Sequence, residues 1–271
     1  MSPDATTPLS PEQFEAVACA AAHQAGGILR RRFRERTPLQ VEAKGLHDFV
    51  TEVDRQAESA ALAYIRAHFP KHAVMSEEAS PELPPTGYRW VVDPLDGTTN
   101  FIHGVPPFSV SIAVEDEQGL LAGVVHDPFH AETFHAARGR GARLNGDPIR
   151  CSRPVSHDEA LVATGFPFRE LSRLGRYMRA FEACVHRTAG LRRAGSAAID
   201  MAYTACGRYD GFWEVGLSRW DVAAGTLLIR EAGGLVTDIM GGETHLDTGD
   251  IVAGGPDVHA MLLEITREAF G

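Results

Sequence analysis

The order of amphipathic and apolar segments predicts a mixed α/β fold, with helices and strands in alternating layers. Three observations carry that expectation. Helical patterns at the start of the chain precede a run of short apolar stretches. Helices and strand-like pieces then alternate through the second half. Finally, 44% hydrophobic residues in a chain of 271 supply a core of ordinary globular size. The expected organisation is a flexible tail over residues 1–10 and a single domain over 11–271, since no repeat, low-complexity stretch or linker interrupts the pattern.

The elements follow in order. Ser10, Pro11 and Glu12 open a helix, with serine as cap and proline at the first helical position, and it runs to about Phe33. Its end carries Arg30, Arg31, Arg32 and Arg34, cations that suit the negative end of the helix dipole and read as a solvated face. A second helix starts near Thr51 and stops before Pro70, with Ala61, Leu62, Ile65 and Phe69 on one side. Short apolar runs near 73–75, 89–92, 109–114, 121–125 and 132–134 read as strands. Helical patterns return near 170–187, 196–207 and 219–231, alternating with strands near 209–213, 235–238 and 251–253. A last helix follows Pro256.

Composition narrows the function. Acidic residues outnumber basic ones by 36 to 26, so the net charge of −10 argues against direct, non-specific binding of nucleic acid. An anionic ligand would need local positive charge from arginines, helix N-termini or metal. Cys19, Cys151, Cys184 and Cys206 form no C-x-x-C pair and read as buried free thiols of a reducing compartment. The start has no basic, apolar leader, and no segment reads as a membrane span, so a cytoplasmic protein is expected.

Chemistry concentrates in four separated segments: Asp48 to Asp54, Ser76-Glu77-Glu78, Asp93-Pro94-Leu95-Asp96-Gly97-Thr98, and Trp220-Asp221 through Gly225. Taken singly, each has an ordinary structural explanation, such as turn chemistry or an acid at a helix start. Together they place acids at strand ends and helix starts, which collect along one edge of an α/β sheet. Carboxylates so gathered repel unless protonated or neutralised by cations. Hard oxygen donors without cysteine or histidine favour Mg²⁺. Two such ions can activate a water and stabilise the leaving oxygen of a phosphate ester, and Gly97-Thr98, opening a short helix, offers a phosphate cradle. The pattern points to metal-assisted hydrolysis of a small-molecule phosphate ester.

Asp54, Glu77-Glu78, DPLDGT at 93–98 and WDVAAG at 220–225 together resemble the inositol monophosphatase family of lithium-sensitive, magnesium-dependent phosphatases. The likeness extends through 100–114, 138–146, 163–168 and 195–214 and is greatest to the bacterial inositol-1-monophosphatase branch. It implies a five-layer αβαβα sandwich of the sugar-phosphatase type, usually a homodimer. It also implies that Glu77, Asp93 and the Leu95 carbonyl hold a first Mg²⁺, and Asp93, Asp96 and Asp221 a second. A weaker third ion would share Glu77. Thr98 and Asp54, helped by Glu77, match the groups that orient and deprotonate the attacking water. Gly97 and Thr98 match phosphate contacts, and Asp96, Ala197 and Glu214 match contacts to polyol hydroxyls.

Other readings carry less. His126, His130 and His135 span a strand end and a proline-containing turn rather than one helix face, which suits polar strand and loop residues better than zinc. Histidinol phosphate, fructose 1,6-bisphosphate and 3′-phosphoadenosine 5′-phosphate stay open as substrates. Arg192-Arg193 is the candidate for a second phosphate, or for a dimer interface. A contact with transcription machinery, as in some bacterial relatives, also stays open.

Overall fold

The computed structural model describes residues 9–35, 39–45, 48–78, 87–154 and 156–271. Residues 1–8 of the expected tail lie outside that set. Helix α1 (Pro11–Glu35) begins as the sequence predicts, with the Gln13 side chain accepting from the Ser10 amide at 2.8 Å. Strands β1 (Val41–Gly45) and β2 (Asp48–Thr51) form an antiparallel hairpin leading directly into α2 (Glu52–His68). The next elements are β3 (Ala73–Ser76), β4 (Arg89–Asp96), α3 (Thr98–His103), β5 (Ser109–Asp116), β6 (Gly119–Asp127), β7 (Glu132–Ala137), β8 (Ala142–Leu144) and β9 (Asp147–Pro148). The second half contains β10 (Leu161–Thr164), α4 (Leu174–Arg187), β11 (Gly190–Arg192), α5 (Ala197–Ala205), β12 (Gly211–Glu214), α6 (Arg219–Glu231), β13 (Leu235–Thr237), α7 (His245–Thr248), β14 (Ile251–Gly254) and α8 (Pro256–Phe270).

Among the described residues, β3 to β9 form a seven-stranded sheet in sequence order, parallel only between β3 and β4. A five-stranded sheet has the order β11-β10-β12-β14-β13. Three apolar clusters sort these elements into five layers. Phe14, Leu29, Val53 and Ile65 of α1 and α2 pack on one face of the larger sheet through Trp90, Ile112 and Val124. On its other face Val91 and Val125 join Ile199 and Met201 of α5, Val222 and Leu228 of α6, and Phe212 of the smaller sheet. Trp213 and Val252, on the far face of that sheet, pack with Tyr177 of α4 and Leu262 and Ile265 of α8. The order is the αβαβα sandwich that the resemblance implies.

Close layer contact depends on missing side chains. A Cβ at Gly123 in β6 would lie 2.9 Å from the Ala224 carbonyl oxygen, so glycine lets α6 lie directly on the sheet. Among the described residues no helix is long and apolar enough to cross a membrane. All four cysteines are free, but only Cys184 is fully buried; Cys19, Cys151 and Cys206 are partly exposed at the edges of the apolar clusters they pack against.

Candidate active site

The site begins with a proline inside an interior strand. Pro94 has no N–H for a ladder, yet β4 lies between β3 and β5. The β4–β5 register shifts here: Asp93 faces Ser111 and Asp96 faces Ser109, so three steps on β4 match two on β5. In an unbroken strand, residues three apart point to opposite faces. The extra residue of the bulge cancels that alternation and brings Asp93 and Asp96 to one side.

Each carboxylate is then fixed by local backbone. Asp93 Oδ1 accepts from the Leu95 amide at 2.9 Å. Asp96 Oδ2 accepts from the Ser196 hydroxyl at 2.6 Å and the Ala198 amide at 2.7 Å, at the start of α5. Asp221 is the third helical residue of α6 and completes a capping box, its Oδ2 accepting from the Ser218 amide at 2.7 Å. Oxygens of Asp93, Asp96 and Asp221 lie within 4.8 Å of one another.

Burial and mutual repulsion raise these acids. Asp93 is 1% exposed and is held well above the usual carboxylate range by desolvation and by the charges of Glu77, Asp96 and Asp221. Asp221 is pushed up to about 7 by burial, with Asp96 and Glu77 adding to it. Asp96 is raised by burial, although the Ser196, Ala198 and Ala197 donors oppose the shift. Glu77 faces the same cavity. Its amide extends the β3–β4 pairing to the Val92 carbonyl at 3.2 Å, and the next amide, of Glu78, donates to Glu58 of α2 at 3.1 Å.

A second pair reaches the cluster, Asp54 from α2 and Thr98 from the start of α3. Asp54, 1% exposed, closes the capping box at Thr51: its Oδ2 accepts from the Thr51 amide at 3.0 Å and from the Thr51 hydroxyl. Its Oδ1 lies 3.1 Å from the Thr98 hydroxyl, which also lies 3.0 Å from the Leu95 carbonyl oxygen. Burial raises Asp54 above its ordinary value. Gly97 holds φ +92° ahead of α3, and a Cβ there would come within 3.1 Å of the Pro107 carbonyl oxygen.

These groups surround one cavity of about 500 Å³, lined by Glu77, Asp93, Leu95, Asp96, Gly97, Thr98, Ala197, Glu214 and Asp221. Asp54 joins them through Thr98. The side chain of Asp48 lies outside the described residues. Glu214 is half-buried on the wall and is pushed up to about 8 by desolvation, against the pull of Arg193. Gly165 stands beside it, where a Cβ would fall 2.1 Å from Glu214 Oε1.

Several lining residues were not foreseen in the sequence. Asp200 of α5 is 1% exposed, its Oδ1 has no hydrogen-bond partner, and burial with the charges of Glu214 and Asp96 holds it well above the usual range. An acid inside the apolar stretch AAIDMAYTA was the available signal. Arg169 also lines the cavity, which corrects the expectation that Arg192-Arg193 is the sole cationic candidate. That pair divides: both are exposed, but Arg193 lines the cavity and lies over the Phe166 and Phe168 rings at 6.0 and 5.2 Å, whereas Arg192 is not part of the lining. The histidines of 126–135 do not converge. His130 pairs with Asp127 and His135 with Glu15, each at 2.7 Å, and buried His126 contacts the Thr133 hydroxyl at 3.0 Å.

Five alternating layers with buried carboxylates gathered between β4, α5 and α6 define the class: an αβαβα sandwich with an all-oxygen acidic centre. The chain belongs to the inositol monophosphatase family, whose model matches residues 10–269. It is 49% identical to Nus factor SuhB of Pseudomonas aeruginosa over 91% of this chain and 93% of that protein. It is 42% identical to the inositol-1-monophosphatase of Mesorhizobium japonicum over 92% of this chain and 94% of that one. The crystal structure of the extragenic suppressor protein suhB from Bartonella henselae superimposes with a TM-score of 0.91 at 40% identity, covering 94% of this chain and 99% of that one.

Proposed function

We propose that the chain is a Mg²⁺-dependent, lithium-sensitive phosphomonoesterase that releases phosphate from inositol 1-phosphate or a similar polyol monophosphate. The observation that carries this reading is the triad of Asp93, Asp96 and Asp221 within 4.8 Å, each raised by burial or by its neighbours' charge. An acidic, all-oxygen donor set fits hard divalent ions. Glu77, Asp93, the Leu95 carbonyl, Asp96 and Asp221 would hold two to three of them. When bound, such ions polarise the ester and favour deprotonation of water.

The protein's own groups would supply the proton path. Thr98 has one hydroxyl proton and two acceptors in reach, Asp54 Oδ1 and the Leu95 carbonyl. With that proton directed to Asp54, a lone pair of Thr98 Oγ1 is free to take a proton from the attacking water. Thr98 then passes its own proton to Asp54, which burial already disposes to accept one. Glu77, on the same wall, helps to orient the water. Gly97 and Thr98 contact the phosphate. Asp96, Ala197 and Glu214 receive the polyol, a carboxyl group being suited to paired hydroxyls.

Mg²⁺-dependent phosphate release across inositol 1-phosphate, histidinol phosphate, fructose 1,6-bisphosphate and 3′-phosphoadenosine 5′-phosphate tests the reading. The expected result is highest kcat/KM on inositol 1-phosphate, no turnover in excess EDTA, and inhibition by Li⁺ and by the larger Ca²⁺. Full turnover in EDTA would overturn the metal mechanism. Preference for a bisphosphate would overturn the substrate and assign Arg169 and Arg193 to a second phosphate.

A homodimer belongs to the same reading. Leu171, Leu174, Met178 and Val185 are 38–53% exposed at helical spacing along α4 and the turn before it, an apolar stripe that a second copy would cover. Light scattering should give twice the chain mass. The relatives named Nus factor SuhB favour an additional reading, contact with transcription machinery. Copurification of RNA polymerase subunits with the tagged chain would support it.

A further inference from the structure

Helix α6 starts in the acidic cluster and ends at a second cavity of opposite character. Asp221 lies in its first turn and Glu231 is its last residue, so the two places are separated by roughly 15 Å of helix at 1.5 Å per residue. The second cavity, of about 690 Å³, opens between the short edge strands β8 and β9 and the ends of α6 and α8. Arg140, Arg143, Arg150 and Arg153 line it, and all four are exposed.

On a chain of net charge −10 these arginines make a local positive patch suited to an anion, and the protein's own carboxylates occupy little of it. Glu231, the one acidic residue among the described residues of the lining, is engaged by the Gly139 and Gly141 amides at 2.7 and 2.8 Å. Arg140 pairs with Glu12 across the surface. Among the described residues no carboxylate pairs with Arg143, Arg150 or Arg153, and Arg143 instead donates to the Gly146 carbonyl at 2.9 Å. The C-terminal end of α6 adds no positive field, so the cationic character comes from the guanidinium groups themselves. Their planar forks suit phosphate oxygens, which they bind in pairs of parallel hydrogen bonds.

The lining also has an apolar part, a floor of buried or half-buried Ala142, Ile149, Ala232 and Pro256 with exposed Pro148 beside it. A bare inorganic anion would leave that surface wet. The volume falls in the range of small-molecule and cofactor sites. We propose that this cavity binds an organic polyphosphate of nucleotide size, with its phosphates on Arg143, Arg150 and Arg153 and its body against the Pro148-Ile149-Pro256 floor. The site is separate from the acidic centre and does not depend on the phosphatase reading.

Calorimetric titration of the full chain in EDTA at low salt, with ATP, inorganic tripolyphosphate and AMP as probes, tests it. ATP should bind saturably, tripolyphosphate more weakly because it leaves the floor uncovered, and AMP at least tenfold more weakly than ATP. Raising the salt should weaken the first two steeply. Arg150→Ala with Arg153→Ala should weaken ATP at least tenfold, and Arg143→Ala, on a different strand, should act in the same direction. All three residues are exposed, so unchanged circular dichroism should accompany the loss. Asp93→Asn and Arg193→Ala should leave ATP binding as it is. Absence of saturable binding at millimolar ATP, or equal binding by the Arg150/Arg153 variant, would overturn the site. Loss of binding in Arg193→Ala would move the ligand to the acidic cavity. ATP binding no tighter than tripolyphosphate would overturn the role of the floor.

Discussion

The two ends of α6 collect opposite charge by different physics. At its N-terminus, acids are buried, hydrogen-bonded to backbone and pressed together until their protonation shifts. At its C-terminal end, arginines stand in water, and solvent screening lets them coexist at little cost. The buried group stores repulsion that a cation would release. The exposed group stores almost none. The acidic end should therefore respond far more strongly to substitution and to pH.

The largest effect should come from Asp93, the most buried of the triad. Asp93→Asn should lower kcat by about 10³-fold, because it removes several kcal/mol of charge compensation for the cations. Near-wild-type turnover at saturating Mg²⁺ would remove the contrast between the two ends. Thr98→Ala should lower kcat by about 10²-fold, the usual loss for a missing proton relay, while Mg²⁺ still raises the melting temperature. Loss of the Mg²⁺ response would make Thr98 a structural support of the centre.

A smaller effect concerns stability in EDTA. Asp221 is raised in the folded state to about 7 from an ordinary value of 3.8. Its contribution is fully present below pH 4 and is lost as pH rises through 7, because the folded state must then ionise against its neighbours. Asp221→Asn should remove that loss. The variant should gain a few degrees of melting temperature over wild type between pH 4 and 7 and keep the gain above it, and Mg²⁺ should abolish the difference. A constant difference across that range would show that repulsion is not what the acidic end stores. The smallest effect belongs to the other end: Arg150→Ala should change the melting temperature by no more than about 1–2 °C. A larger shift would place Arg150 in the packing of the fold.

The sequence makes one end far more legible than the other. Helix α6 falls at 219–231 as its pattern predicts, because a serine cap, an acid in the first turn and nine buried residues all agree. The four acidic segments announce themselves through turn chemistry and strand ends. The arginine cavity does not. Its side chains are spread over fourteen positions without periodicity, in a stretch that reads as glycine-bearing turns. They meet only because β8 and β9, of three and two residues, fold back at the sheet edge. Strands that short carry almost no signal. The β1–β2 hairpin and β10 escaped for related reasons: Val41, Glu42 and Ala43 are exposed and show no apolar alternation, and Leu161–Thr164 is four residues long. Asp200 was hidden by its helix, since one acid among alanines reads as a surface position until the layer above it is known.

Gly165 bears on how such a cavity can change over generations. The Glu214 carboxyl occupies the volume that a side chain at 165 would fill. A single methyl group there would force the carboxyl to swing aside, which on the proposed function would alter which alcohol fits while leaving Asp93, Asp96 and Asp221 where they are. Reaction and selectivity would then be inherited through separate codons: one position without a side chain would adjust the guest, while a different strand and two helix starts would hold the acidic centre constant.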